Sequence, residues 1–413
     1  MGERIPAFAH PEFVRFWSGA VVSNTGSMMY LAALGWITAG VTDSAAAIAA
    51  VPFVGLIPLL LVSPFAGAWA DRWSRRKMLL AALAAQGAVG VAVAIMVTAD
   101  QVTYPRLIIA SIIGGVSGSA GAPVYQAIMP TLVPTHALRS AVVLNSLQFN
   151  ISRAVGPTLA GFLIDTTGAA TVFWLNAASF LAVFTAIWSL EERPVPERTT
   201  QRSVVGDIIA GARYAAGDRP IRVALTAGAV NAMLIFPISY VAPVLATQAL
   251  DLDAAEYGVL VGSFGLGAIL AGIQMLLSRD RPYERIVSVG VAGCSIGLLV
   301  IGLAPGLLVA LVGMFVTGAA FINITTNVLS SLQIQLDDRV RGRVMSLWMM
   351  IYGSLGPLGI IAFGAAGDIV DIQTVFIVAA ALMASYLTFM TVRRGFAVLD
   401  PPPEALAADT DAR

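Results

Sequence analysis

The sequence predicts an all-α membrane protein with twelve transmembrane helices arranged in two halves of six. Three observations predict this fold class: the composition, the length of the apolar runs and the distribution of charge. The 413 residues are 58% hydrophobic and 12% charged, whereas a soluble domain carries about 25% charged residues. The mean hydropathy is +0.83, so the apolar residues cannot all lie inside one water-exposed globule. Lipid is the solvent that this composition fits.

Twelve apolar runs supply the predicted spans, because a helix needs roughly 20 apolar residues to cross the bilayer core. The first six are Phe16–Val41, Ala45–Ala70, Met78–Thr98, Tyr104–Met129, Ser140–Ile164 and Ala169–Leu190. The second six are Ile221–Leu250, Tyr257–Leu277, Ile286–Ala304, Gly306–Gln333, Val344–Ala366 and Val375–Val392. The runs are too long for barrel strands and do not alternate as such strands do.

The basic residues support both the number and the orientation of the spans. All but two of the 24 Lys and Arg residues fall on one predicted side of the membrane. The exceptions are Arg106 in an outer loop and Arg153 within the fifth span. Since cytoplasmic loops carry the excess of Lys and Arg, this pattern predicts that both termini are cytoplasmic. We expect a multi-pass protein of the inner (cytoplasmic) membrane.

The longest polar segment divides the chain and defines its predicted domains. We expect an N-terminal six-helix bundle at 1–190 and a C-terminal six-helix bundle at 220–393. Between them, 191–219 is predicted to be a cytoplasmic linker with a short amphipathic helix. Residues 394–413 are predicted to form a disordered cytoplasmic tail.

The two halves resemble each other weakly at an offset of about 200 residues, which indicates an internal repeat. Gly156-Pro157 lies within the fifth span and Gly356-Pro357 within the eleventh, and each span begins near an arginine and ends near an aspartate. Chance recurrence of Gly-Pro pairs is the alternative. We expect helix kinks at Pro157 and Pro357, and parallel six-helix repeats are the architecture of major facilitator transporters.

Three stretches carry a resemblance to that superfamily. The loop Gly67-Ala68-Trp69-Ala70-Asp71-Arg72-Trp73-Ser74-Arg75-Arg76-Lys77 resembles the major facilitator signature loop after the second helix. Met129–Gly161 and Arg341–Ser346 resemble the branch that includes macrolide efflux proteins and the enterobactin exporter. The resemblance implies the major-facilitator fold and secondary active export by alternating access of a bulky amphiphile, drug-like or siderophore-like. It also implies coupling to protons.

The signature loop supplies the predicted gating residues. The resemblance implies a cytoplasmic latch that includes Gly67, Asp71, Arg72 and Arg76. Asp71 can accept hydrogen bonds from a helix N-terminus and pair with an arginine. The alternative is that these cations act only as a topology signal.

Arg153 is the one charge predicted to lie deep in the membrane, where it is costly unless it faces protein or water. It shares one side of the fifth span with Asn150 and Pro157. It can bind an anion or take part in coupling. Alternatively, it can bond carbonyls that the proline leaves unpaired.

Polar residues in other spans are the remaining candidates for contact with substrate or for coupling. The first, fourth, seventh, tenth and eleventh spans supply Asn24, Gln126, Tyr240, Asn323, Asn327 and Trp348, and these spans also contain Tyr125, Asn231 and Tyr352. Any of them can instead bond an adjacent helix. Amides, hydroxyls and aromatic rings suit a bulky amphiphile better than a sugar or a small ion.

Several functions are disfavoured by what the sequence lacks. Both histidines lie outside the spans and there is one cysteine, so we expect no enzyme, no metal and no cofactor. The expected partners are a small-molecule substrate, the bilayer and protons, with no nucleic acid and a monomeric state. No predicted span holds a deep carboxylate, so rim residues such as Asp43 or Asp251 would have to serve if protons drive transport. The competing functions are small-metabolite uptake and a non-transporting scaffold.

Overall fold

A computed structural model describes residues 6–70, 74–190, 204–277 and 282–400. In these ranges the α-helices are α1 (Pro11–Ala39), α2 (Ala45–Ala70), α3 (Arg75–Thr98), α4 (Tyr104–Ile128), α5 (Thr135–Thr167), α6 (Ala169–Trp188), α7 (Val204–Gly217), α8 (Arg219–Leu234), α9 (Ile238–Val244), α10 (Ala254–Leu277), α11 (Tyr283–Gly302), α12 (Leu307–Gln335), α13 (Asp338–Ile369) and α14 (Ile372–Val392). Short 3-10 helices cover Pro6–Ala9, Met129–Leu132 and Phe396–Leu399, and Leu245–Ala249 is a π-helix.

The helices confirm the predicted fold class. Ten helical segments in the described ranges are long and apolar enough to cross a membrane. Helices α1 and α5 are also long, at 29 and 33 residues, but more polar. Their polarity comes partly from Asn24 in α1 and from Gln148 and Arg153 in α5. Together these twelve segments give the predicted count.

The chain folds into two compact units whose boundary differs from the predicted one. Unit 1 comprises residues 1–200 and 242–265, and unit 2 comprises 201–241 and 266–413. Residues 242–265 were expected in the C-terminal bundle but pack with the N-terminal helices. The reason is a backbone contact, because a Cβ added to Gly161 of α5 would lie 2.8 Å from the Cα of Gly258 in α10.

Tyr257 strengthens this packing within unit 1. Its side chain is 1% exposed, and its hydroxyl donates a hydrogen bond to the carbonyl of Ala32 at 3.3 Å. Its ring stacks on Trp36, with the centroids 5.4 Å apart. Gly35 leaves room for Pro243 on the same face of α1. Small residues therefore bring α1 and α5 into contact with residues 242–265.

Two other expectations from sequence were wrong in detail. The predicted seventh span is divided into α8, α9 and a π-helical turn, because Pro237 follows α8 and Pro243 lies inside α9. The predicted tail begins later than residue 394: Phe396 and Leu399 are buried at 2% and 0% exposure. The carbonyl of Leu399 accepts a hydrogen bond from Gln335 at 3.1 Å. Residues 401–413 lie outside the described ranges.

Candidate functional site

The first group of hydrogen-bonded polar side chains lies in unit 1 and joins α1, α4 and α5. We call Asn24, Tyr125, Asn145 and Gln148 the N-terminal polar cluster. Asn24 donates from Nδ2 to Gln148 Oε1 at 3.1 Å, and Gln148 donates to Asn145 Oδ1 at 3.5 Å. Tyr125 donates to the same Asn145 oxygen at 3.1 Å. Gln148 is completely buried, so these bonds replace its contacts with water.

A second contact between α1 and α5 uses the next residue of α1, Thr25, and a residue one turn further along α5, Ser152. The hydroxyls of Thr25 and Ser152 are 3.0 Å apart, and Ser152 is completely buried. Gly156 allows the close approach, because an added Cβ would lie 2.5 Å from the Cβ of Met28. The sequence Ser-x-x-x-Gly-Pro thus places a polar link and a small residue on the face that meets α1.

Unit 2 contains a more compact group, which we call the C-terminal polar cluster: Asn231, Thr325, Trp348 and Tyr352. Asn231 in α8 donates to Thr325 Oγ1 at 2.8 Å and to Tyr352 Oη at 3.1 Å. The two hydroxyls are themselves 3.2 Å apart. Trp348 packs on Tyr352, with the ring centroids 5.0 Å apart. The three polar groups form a closed triangle beside an aromatic pair.

The C-terminal polar cluster contains one unsatisfied acceptor. Asn231 is 1% exposed, and its Oδ1 is buried without a hydrogen-bond partner. Leaving such a group unpaired costs about 1–3 kcal/mol. Gly228 is part of the same packing, because an added Cβ would lie 2.5 Å from the Trp348 ring. Trp348 therefore holds the cluster against α8 while one acceptor remains available to a donor.

Two polar contacts, one in each half, occupy related positions in the sequence repeat. Ser152 and Tyr352 each lie five residues before the proline of their Gly-Pro pair. Each hydroxyl contacts the first helix of its half: Ser152 contacts Thr25 and Tyr352 contacts Asn231. Pro157 and Pro357 lie inside continuous helices. The repeat thus preserves a polar link between the first and fifth helices.

Both clusters are built from neutral groups. Amides and hydroxyls can donate and accept hydrogen bonds without carrying charge. Such groups beside aromatic rings can orient an amphiphile through a few directional bonds while its apolar surface contacts the rings. The arrangement suits binding by hydrogen bonds and apolar contact rather than nucleophilic or metal chemistry.

Arg153 is half-buried in α5, next to Ser152. Its guanidinium lies 5.9 Å from the ring centroid of Phe149, a cation–π contact. Asn150 donates to the carbonyl of Ser146 at 3.0 Å, a bond within its own helix. Among the residues predicted to contact substrate, Asn24 and Trp348 belong to the two clusters already described, whereas Asn150 and Arg153 are not members of either cluster.

Four further residues predicted to contact substrate are not members of the two clusters: Gln126, Tyr240, Asn323 and Asn327. Gln126 is exposed on α4. Tyr240 is half-buried and packs against Phe236, with ring centroids 5.2 Å apart. Asn327 is 5% exposed and donates to the carbonyl of Asn323 at 2.8 Å, within α12.

The predicted gating residues are only partly described. Asp71 and Arg72 lie outside the described residues, and Gly67 is in α2. Arg76 lies at the start of α3 and donates to the carbonyls of Ile187, at 3.2 Å, and Trp188. Its guanidinium is also 5.4 Å from the Trp188 ring centroid. Arg76 therefore links the start of α3 to the end of α6.

Sequence reasoning missed Thr25, which bonds Ser152, and Thr325, a member of the C-terminal polar cluster. Both are threonines, which often bond only their own helix, and Thr325 lies next to Asn323 and Asn327 in an equally polar segment. The available signal for Thr325 was its position on the opposite side of α12 from Asn327. Its partners, however, belong to other helices.

This fold is that of the major-facilitator transporters. The nucleoside transporter NupG has a similar structure, with a TM-score of 0.72, 14% identity and coverage of 95% of this chain and 100% of that chain. An inward open structure of the xylose transporter XylE from E. coli gives a TM-score of 0.68 at 14% identity, covering 91% and 95%. At this identity the likeness concerns the fold.

The chain belongs to the transmembrane secretion effector family (MFS_3), whose model matches residues 4–399. It is 25% identical to the multidrug efflux pump Tap of Mycolicibacterium fortuitum, covering 87% of this chain and 90% of that protein. It is 24% identical to the staphyloferrin A transporter of Staphylococcus aureus, covering 87% and 91%. It is 25% identical to the enterobactin exporter EntS of Shigella boydii, covering 72% and 69%. The protein is thus a membrane transporter and not an enzyme.

Proposed function

We propose that this transporter exports a bulky amphiphilic small molecule, drug-like or siderophore-like, by alternating access. The observation that carries the proposal is the pair of neutral polar clusters, one in each unit. Each contains a hydrogen bond between the first and fifth helices of its half: Asn24 to Gln148 in unit 1 and Asn231 to Tyr352 in unit 2. Neutral donors, acceptors and rings can accommodate varied amphiphiles. The names of the relatives, a multidrug efflux pump and two siderophore transporters, support the same class of substrate.

Within this function, Asn24 and Trp348 are the proposed substrate contacts with the strongest support, because both belong to buried polar clusters. Arg153 would bind an anionic group of the substrate or contribute to coupling. Secondary contacts in this proposal are Asn150, Gln126, Tyr240, Asn323 and Asn327. Asn231 and Tyr352 join the set because their hydrogen bonds hold the C-terminal polar cluster together.

The proposed gate is the signature loop. Gly67, Asp71, Arg72 and Arg76 would form a latch on the cytoplasmic side, and the bonds of Arg76 to the end of α6 support a role in joining helices there. Asp71→Asn should reduce transport while leaving membrane insertion intact. Unchanged transport by this variant would argue against a latch and leave only the topology signal.

Protons are the proposed coupling ions, and rim carboxylates such as Asp43 and Asp251 are the residues proposed to serve coupling. Gln248 donates from its side chain to the backbone carbonyl of Asp43 at 2.8 Å, in unit 1. Asp251 follows three residues later, in a left-handed backbone conformation with φ 48°. This hydrogen bond connects the loop after α1, which contains Asp43, to the segment that leads to Asp251. Asp43→Asn or Asp251→Asn should therefore abolish stimulation of transport by a pH gradient and leave downhill flux of substrate.

We further propose that the protein is a monomer of the inner membrane with both termini in the cytoplasm, an orientation supported by the distribution of Lys and Arg. Fluorescence of a C-terminal green fluorescent protein fusion tests the orientation, because the fusion folds on the cytoplasmic side. A fusion protein that is inserted in the membrane but does not fluoresce would show that the C-terminus lies outside the cytoplasm.

The test of export uses inside-out membrane vesicles from cells with and without the protein. We expect vesicles with an acidic interior to accumulate a cationic dye, a macrolide or a catecholate siderophore only when the protein is present, and a protonophore should abolish the accumulation. Accumulation only in right-side-out vesicles would indicate uptake. Failure with every probe and both orientations would contradict export of an amphiphile.

A further inference from the structure

A cavity of about 500 Å³ opens between α1 and α6 in unit 1. It lies at the end of this unit where α1, α3 and α5 begin and α6 ends, which we call the basic end; Arg15, Arg76 and Arg139 lie there. The residues of the polar clusters do not line it. Its volume is in the range of small-molecule sites, about 300–1,000 Å³.

The rim of this cavity is polar and carries a positive charge. Arg15 donates to the Ser189 hydroxyl at 3.3 Å and to the carbonyl of Pro11 at 3.4 Å. These bonds use two of the five N–H groups of the guanidinium, so the others can bind an oxyanion. Ser18 and Thr185 complete the polar part of the lining, in which Arg15 is the charged residue.

The hydroxyls of the rim act as acceptors. Ser18 donates to the carbonyl of Arg15, Thr185 to Leu181 and Ser189 to Ala186. Their hydrogens are thus used within the protein, whereas their oxygen lone pairs can accept from a ligand. The rim therefore complements a ligand that has both an anionic group and hydroxyl donors.

Towards the middle of α1 and α6 the lining of the cavity is mainly apolar. Val22, Ala182 and Ala186 line it, and the helices touch at Gly19, where an added Cβ would lie 2.8 Å from the carbonyl oxygen of Ala182. Val22 is seven residues beyond Arg15, which corresponds to about 10 Å along the helix. The polar lining therefore lies where a lipid headgroup would be, and the apolar lining lies where its acyl chain would begin.

Aromatic and basic residues mark the rim as the level of lipid headgroups. Trp188, the last residue of α6, is 62% exposed and lies beside Arg76. Tryptophans concentrate at the membrane interface. Trp174 is 43% exposed near the other end of α6, about 21 Å away along the helix. The two tryptophans thus place the Arg15 rim at one edge of the hydrocarbon layer.

We propose that this cavity binds an anionic phospholipid with a hydroxylated headgroup. Its phosphate would lie against the Arg15 guanidinium, its headgroup hydroxyls would donate to the rim, and the first carbons of one acyl chain would pack along Gly19 and Val22. The lipid would bridge α1 and α6 at the basic end. This site does not depend on the identity of the transported substrate.

Native mass spectrometry of the full-length chain in detergent tests the proposal with three probes of identical acyl chains. These are phosphatidylglycerol, phosphatidylcholine and diacylglycerol. We expect phosphatidylglycerol to bind about tenfold more tightly than diacylglycerol, which lacks the phosphate and so loses one charge-assisted hydrogen bond. Phosphatidylcholine keeps the phosphate but has no headgroup hydroxyls to donate to the rim, so it should bind with intermediate affinity. Equal binding of phosphatidylglycerol and diacylglycerol by the unmodified protein would overturn the proposal, and this comparison requires no variant.

Arg15→Gln should remove the selectivity by lowering affinity for phosphatidylglycerol about tenfold. The matched control is Arg106→Gln, the same change in an exposed arginine at the start of α4, which bonds the carbonyl of Gln101. Equal losses in the two variants would indicate general attraction to cations and contradict a site. Complete displacement of the lipid by millimolar inorganic phosphate would identify a free-anion site instead and contradict lipid binding. None of these measurements requires transport.

Discussion

The N-terminal and C-terminal polar clusters both connect the first and fifth helices of their half, but with different side chains. In unit 1, Asn24, Gln148 and Asn145 form an amide chain that runs from α1 into α5. In unit 2, Asn231 is instead held by two hydroxyls beside an aromatic pair. The amide chain distributes its bonds along a helix contact, whereas the triangle leaves one acceptor unpaired.

This difference indicates a division of roles. The completely buried Gln148 connects two neighbours, so its bonds chiefly hold α1 and α5 together. The unpaired Oδ1 of Asn231 costs stability without adding a contact. Costly polar groups persist when function needs them. We therefore expect the C-terminal polar cluster to affect transport more than stability, and the N-terminal polar cluster to affect both.

The largest effect on transport is expected from Asn231→Leu. Thr325 and Tyr352 can still bond each other at 3.2 Å, and the unpaired acceptor disappears. The free energy of unfolding should change by less than about 1 kcal/mol. Transport should fall about tenfold, equivalent to about 1.4 kcal/mol of lost interaction. Dye efflux and thermal unfolding by tryptophan fluorescence measure the two effects, and Ser385→Ala, an exposed residue bonded to its own helix, is the control. A large loss of stability with normal efflux would reverse the division of roles.

Gln148→Leu should have the opposite balance. It leaves the Asn24 amide without its partner, whereas Asn145 keeps the bond from Tyr125. We expect a destabilisation of about 1–3 kcal/mol, seen as a lower melting temperature, with transport falling in proportion to the folded fraction. If efflux disappears while the melting temperature is unchanged, the N-terminal polar cluster acts mainly in transport, as the C-terminal polar cluster does, and the division of roles is wrong.

Two variants, Tyr352→Phe and Ser152→Ala, compare the hydroxyls at equivalent positions of the sequence repeat. Tyr352→Phe removes a hydroxyl with two partners but keeps the ring against Trp348, whereas Ser152→Ala removes a hydroxyl with one. Since a hydrogen bond contributes about 0.5–1.5 kcal/mol, Tyr352→Phe should lower the melting temperature more. Equal shifts would show that the two polar links have the same strength despite their different surroundings.

The smallest effect is expected outside both clusters and sets the background for the comparison. Asp371 begins α14 and accepts hydrogen bonds from the hydroxyl and the backbone N–H of Thr374, which lower the pKa of its carboxyl group. The stabilisation is complete above the ordinary pKa of aspartate and is lost as pH falls through the lowered value. Asp371→Asn should slightly lower the melting temperature at neutral pH, and the difference should shrink in acid. Asp165→Asn, at the exposed end of α5, is the control; an Asp371→Asn difference that grows in acid would contradict this cap.

The fold could largely be predicted because long apolar runs and sorted charges are properties of the chain itself. The boundary placed at Ala304–Gly306 is confirmed, since α11 ends at Gly302 and α12 begins at Leu307. The break after α8 was missed because Pro237 lies within a continuous apolar run. The buried 396–399 turn was missed because its packing depends on Gln335 and other distant residues.

The candidate site was less predictable because hydrogen bonds between helices depend on how each helix is rotated. Asn323 and Asn327 were predicted as contacts because they are polar residues of the tenth span, yet Asn327 bonds the backbone of its own helix. Thr325, two residues away, makes the contact with Asn231. The identity of a polar residue indicates the capacity for a bond, but its partner is set by the packing of the neighbouring helix.

The polarity of α1 and α5 also has a consequence for synthesis. These two long helices fall short of the hydropathy of the other spans, and they are the two joined by Asn24 and Gln148, which are 124 residues apart. At about 5–20 residues per second, a ribosome that has added Asn24 takes roughly 6–25 s to reach Gln148. During that interval the amide of α1 has no native partner. Insertion of the first helix should therefore depend on the translocon or a chaperone that shelters polar side chains until α5 arrives.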